Sequence, residues 1–151
     1  MENEQEFNVW EWMSSFTLEG LSEPTVNYAG ASPKRNAVVE ETFEMALGVM
    51  VFSERLVKIN TVFADQILRS GTAVGSHTRE AQNAESAADF LHKMKIDFKE
   101  LEETEYRLAL GHRKPHYPHD DELLTKVRKL FPLFKSIILS TRLRVNAQRK
   151  K

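Results

Sequence analysis

Three histidines and two aspartates fall within ten residues: His112, His116, His119, Asp120 and Asp121. Imidazole with carboxylate is the donor set of a metal site or of a general acid–base pair. The spacing matches no zinc pattern, and Pro115 and Pro118 interrupt it, so the stretch reads as a solvated loop. His77 and His92 stand alone and read as surface or interface residues. Glu103 and Glu105, with Arg69 and Arg107, could place carboxylates inside a helical bundle. A di-iron bundle needs Glu-x-x-His pairs, however, and Glu80 and Glu85 are followed at the third position by Asn83 and Ala88. Ion pairs within or between helices are expected instead. Gly71-Thr72-Ala73-Val74-Gly75 has small-residue spacing, but no lysine follows it, as a phosphate loop would require. The absence of cysteine excludes disulfides, thiolate metal sites and cysteine nucleophiles. No catalytic residue and no cofactor is assigned, and the chain is not expected to be an enzyme.

Charge carries more information than these clusters. Over 151 residues the net charge is −1, which by itself argues against a nucleic-acid binder. The distribution argues the other way. Residues 1–33 carry −6 with no base, residues 34–122 carry −4, and residues 123–151 carry +9 with no acid. The nine bases are Lys126, Arg128, Lys129, Lys135, Arg142, Arg144, Arg149, Lys150 and Lys151. Such clusters bind phosphate backbones by releasing counterions. Projected at 100° per residue, Lys126 and Arg144 flank one edge of an apolar face, Lys135 and Arg142 the other, and Lys129 lies opposite. The cations therefore look diffuse, and a solvated helix face with a basic tail is the competing reading. At the other end, Phe7, Trp10, Trp12 and Phe16 interleave with acids. They read as a partner-binding helix, as a segment packing on its own or a neighbouring bundle, or as an acidic arm competing with nucleic acid.

Four long elements must position these groups. Six glycines and five prolines are few for this length and favour helices. Ser22–Arg35 is rich in turn formers and separates an extension, residues 1–35, from a periodic region, residues 36–146, and a basic tail, residues 147–151. Helix one is expected near Ala37–Ile59, with Phe43, Ala46, Leu47, Met50 and Val57 as its stripe. Helix two is expected near Thr61–Asn83, with Phe63, Ile67, Ser70, Val74, Thr78 and Ala81. Gly71 and Gly75 within it mark a close-packing surface, since each costs ~1 kcal/mol against alanine. Helix three is expected near Ser86–Leu110, opening on a capping-box-like Ser86-x-x-Asp89. Its stripe of Ala87, Leu91, Met94, Phe98, Leu101 and Leu108 has one violation, Glu105. After a breaker at Gly111–Pro118, helix four is expected near Asp120–Asn146, kinked or split at Pro132. Four such helices with short connections give an all-α, up-down-up-down antiparallel four-helix bundle with an N-terminal extension. The acidic N-terminus lacks an apolar h-region, and the apolar runs are too short to span a bilayer, so a cytoplasmic location without membrane contact is expected.

One stretch is more specific than a generic helix pair. It reads Gln66-Ile67-Leu68-Arg69-Ser70-Gly71-Thr72-Ala73-Val74-Gly75, then Glu80-Ala81, then Ser86-x-x-Asp89-Phe90-x-x-Lys93-Met94, then Lys99-Glu100-x-x-Glu103-Thr104-x-Tyr106. This resembles the bacterial four helix bundle protein family, also called 23S rRNA intervening-sequence proteins, whose pattern is QLLRSGTSIGANIAEA followed by KExxETxYWL. The signature residues carried over are Gln66, Arg69, Ser70, Gly71, Gly75, Glu80, Glu103, Thr104 and Tyr106. The resemblance covers about residues 38–146. It implies a bundle assembling into homopentamers. It also implies kinship with the accessory variability proteins of diversity-generating retroelements, which bind nucleic acid and a reverse transcriptase through a basic surface. This sequence departs from the pattern at His77, Thr78, Arg79 and Arg107.

Overall fold

The computed structural model describes residues 36–149. Its elements are α1 (Ala37–Leu56), α2 (Thr61–Ala81), α3 (Ala87–Arg113) and α4 (Asp121–Gln148). Each helix packs on two neighbours, α1 on α2 and α4, and α3 on α2 and α4, which makes a four-cornered bundle. Contacts at the helix ends fix the alternating directions. Asn36, at the start of α1, donates to Gln82, at the end of α2, at 2.7 Å. Arg55, near the end of α1, pairs with Asp120, at the start of α4.

Local signals place most of the ends. Asn60 caps α2 by accepting from Phe63 N at 2.9 Å, and its side-chain amide donates to Tyr117 Oη, tying this turn to the α3–α4 loop. At α3, Ser86 Oγ accepts from Asp89 N, while Asp89 accepts in return from Glu85 N. The reciprocal cap expected at Ser86 thus forms one residue earlier on its return side. The Asp89 carboxyl lies below its ordinary pKa, chiefly because Lys93 donates to it. Asp120 caps α4 by accepting from Leu123 N.

Helix α1 ends at Leu56, three residues before the expected Ile59, and two further features differ from expectation. Helix α3 runs through Gly111 to Arg113, because Gly111 is buried where a Cβ would stand 3.4 Å from the Phe63 ring. Pro132 does not split α4, which is continuous from Asp121 to Gln148. The proline is exposed, and the carbonyl of Arg128, which loses its N–H partner, sits on an exposed residue where water can reach it.

The core is built from Met45, Val49, Ile67, Val74, Met94, Leu101, Val127 and Phe134, all fully buried. Helix α2 buries its expected stripe apart from the half-buried Phe63, and α3 buries Met94, Leu101 and Leu108 of its stripe while Ala87, Leu91 and Phe98 are half-buried. Helix α1 does not bury the stripe expected of it. Phe43, Leu47, Met50 and Val57 are between 42 and 49% exposed. The buried face is Val38, Thr42, Met45, Val49, Phe52, Ser53 and Leu56. The helix carries two apolar stripes, and two hydroxyl residues in the inner one hide it from a count of apolar side chains. Thr42 is tolerated there because its hydroxyl donates back to Val38 O at 2.7 Å.

Candidate nucleic-acid interface

Helix α4 positions the cationic face. Its buried side is Leu123, Leu124, Val127, Leu130, Phe134 and Val145. Rings fix its contact with α3: Phe98 meets Phe131 edge-on at 5.5 Å and Phe134 at 6.2 Å. Next to this seam Arg128 Nε donates to Glu105 Oε1 at 2.8 Å, and its terminal nitrogen reaches the same oxygen at 2.8 Å. The one polar residue in the α3 stripe is therefore the partner of one of the nine bases. Arg128 is held by a carboxylate and is less available to a phosphate than an unpaired cation.

The remaining cations sort by helical position. Lys135, Arg142 and Arg149 continue from Arg128 at intervals of seven residues. Seven residues turn a helix through 700°, so this line drifts only 20° per step and stays on the α3 side. It is about 32 Å long at 1.5 Å per residue. Lys135, Arg142 and Arg149 are exposed, and among the described residues none of them makes an ion pair. Leu139 and Leu143 are also exposed, between this line and Lys129. Lys126 and Arg144 lie on the opposite flank, as expected, with Lys126 half-buried. Two cations that the sequence reading left out stand on α3: Lys95 and Lys99 are exposed within a turn of Phe98. Lys150, Lys151, Phe7, Trp10, Trp12 and Phe16 lie outside the described residues.

The signature residues occupy several kinds of position. Gly71 and Gly75 set the approach of α2 to α1: a Cβ on Gly71 would meet Val49 Cγ1 at 2.6 Å, and one on Gly75 would meet Thr42 O at 3.4 Å. Ser70 and Thr104 are buried and return their hydroxyl protons to their own helices. Gln66, Arg69, Ser70 and Glu103 border an open hollow of about 450 Å³ between α2 and α3. Arg69 there pairs with Asp65 at 3.2 Å and Glu103 with Arg107 at 2.9 Å, which are the ion pairs expected in place of a core carboxylate site. Glu80 and Tyr106 are exposed. Thr78, where the pattern has isoleucine, is buried and donates to the buried Asp97 of α3. No sequence signal marked Asp97. The histidine loop brings the His112 and His119 rings to 4.9 Å and His112 to 3.3 Å from Asp121. No group of three or more such side chains among the described residues could hold a metal ion.

The fold and this face define a class: an all-α four-helix bundle with a cationic outer helix. Residues 34–135 match the family model described as 23S rRNA-intervening sequence protein, and the chain belongs to that family. A protein of unknown function from the S23 ribosomal protein family of Bacteroides thetaiotaomicron is 35% identical in sequence. That structure matches with a TM-score of 0.63, over 67% of this chain and 97% of the other. No curated protein matches. No helix among the described residues is long and apolar enough to cross a membrane.

Proposed function

We propose that this protein is a non-enzymatic nucleic-acid-binding accessory protein that grips the phosphate backbone of RNA or DNA through the α3–α4 face. The observation that carries the reading is the line of Lys135, Arg142 and Arg149, exposed and without ion pairs among the described residues. Side chains at this spacing offer charge without base-edge geometry, so binding follows the backbone and not the sequence. The family's description, which names an intervening sequence of ribosomal RNA, supports a nucleic-acid setting. Self-assembly belongs to the same reading, as a homopentamer by family resemblance. Several copies of a diffuse positive segment make a dense field. A reverse transcriptase is the partner enzyme that this resemblance suggests.

A salt titration tests the reading. Affinity for a fluorescent duplex should fall linearly on a double-logarithmic plot against salt, at about −0.9 per phosphate contacted. The triple substitution Lys135→Gln, Arg142→Gln, Arg149→Gln should reduce that slope by about three. Absence of binding at low ionic strength, or an unchanged slope in the triple variant, overturns the assignment.

A further inference from the structure

The exposed stripe of α1 borders a groove with α2, on the opposite side of the bundle from the α3–α4 face. Phe43, Met50 and Val57 stand seven residues apart along one wall. The other wall is α2, with Leu68, Thr72 and Gly75 at spacings of four and three. Two hollows of about 330 and about 400 Å³ lie end to end along this seam. Met50 and Leu68 line the first; Ala46 and Thr72, one turn further along each helix, line the second. From Phe43 to Val57 the groove is about 21 Å long, four turns of helix.

Two polar features show what would fill it. Ser53, at the foot of the first hollow, is 6% exposed, and its hydroxyl has no hydrogen-bond partner. A buried hydroxyl left unpaired costs free energy that a ligand atom could recover. The rim is acidic. Glu54 borders the first hollow and Glu80 the second, and neither makes an ion pair among the described residues. The opposing cation, Arg79, lies over the Phe43 ring at 5.9 Å.

We propose that the α1–α2 groove is the docking site for an amphipathic basic helix of another protein. Two parallel walls of heptad-spaced side chains accept a third helix that carries aliphatic anchors three and four residues apart. Lysine or arginine on its flanks meets the acidic rim, and a lysine entering beside Glu54 donates to Ser53 Oγ. The site is independent of the nucleic-acid reading, because it uses the other pair of helices.

The probe is a fluorescein-labelled helical peptide of about 18 residues, long enough to cover the groove, with leucine at heptad a and d positions and lysine at e and g. It is mixed with the full chain at about 0.15 M salt and followed by anisotropy. Saturable binding is expected, weakened about tenfold or more by Phe43→Glu or Met50→Glu and severalfold by Ser53→Ala. Both glutamate positions are half-exposed, so circular dichroism and the melting temperature should confirm that the fold is kept. A scrambled peptide of the same composition that binds as well, or binding indifferent to Met50→Glu, overturns the proposal. So does a native oligomer that falls apart on Met50→Glu by light scattering, since a second copy would then occupy the groove.

Discussion

Asp97 is fully buried in the bundle. One carboxyl oxygen accepts a hydrogen bond from Thr78, and the other has no partner. Burial pushes this carboxyl up to about 7, and the field of Glu100 on the same helix adds to it, while the Thr78 bond opposes them. An unfolded aspartate titrates near ~3.9. The folded state therefore holds the proton more tightly than the unfolded state. Stability from this group is fully present below the unfolded value and is lost as pH rises toward and through 7. A shift of about three units corresponds to on the order of 4 kcal/mol between the limits. Asp97→Asn keeps the shape and can still accept from Thr78, but cannot ionise. Thermal unfolding from pH 4 to pH 9 should show the native protein losing stability up to about pH 7 and levelling above it, and the variant staying level. The variant should melt higher at pH 9. A native melting temperature that rises over this range would contradict the account.

Gly71 and Gly75 look alike in the sequence, four residues apart in one helix. In the folded α1–α2 pair they differ. A methyl on Gly71 would lie 2.6 and 2.7 Å from the two γ-carbons of Val49, a β-branched side chain fixed in the core. A methyl on Gly75 would find ordinary contact with Thr42 O and Ala46 Cβ at 3.4 and 3.6 Å. Gly71→Ala should thus cost up to about 2 kcal/mol, overpacking of ~1–3 set against the ~1 gained in helix propensity. Gly75→Ala should be neutral or gain up to about 1 kcal/mol. Denaturant unfolding of the two variants checks the contrast, and equal effects would refute it. The same helix pair shows how far the sequence could be read. Close packing at the glycines was legible, because little else explains two glycines in a long helix. The orientation of α1 was not, because Phe43, Met50 and Val57 form a cleaner apolar stripe than the inner face interrupted by Thr42 and Ser53. At the candidate interface, nine bases could be counted from composition. Their availability could not, since Arg128 meets a glutamate 23 residues away.

The whole molecule is nearly neutral, yet a nucleic acid does not meet the average. At 0.15 M salt the Debye length is about 8 Å, so a phosphate at α4 responds to Lys135 and Arg142 and not to acids elsewhere on the surface. At low salt the range grows, to about 30 Å at 0.01 M, and net charge begins to govern encounter. Residues 1–33 carry −6, and removing them takes the chain from −1 to +5. Repulsion of a polyanion at long range then becomes attraction. The truncated chain should bind a fluorescent duplex more tightly than the full chain at low salt, and the difference should shrink as salt rises toward 0.15 M and above. Anisotropy titrations at several salt concentrations measure both curves. Weaker binding by the truncated chain would give residues 1–33 a direct part in holding the nucleic acid. A difference that persists at high salt would mean that the segment acts through short-range contacts and not through its charge.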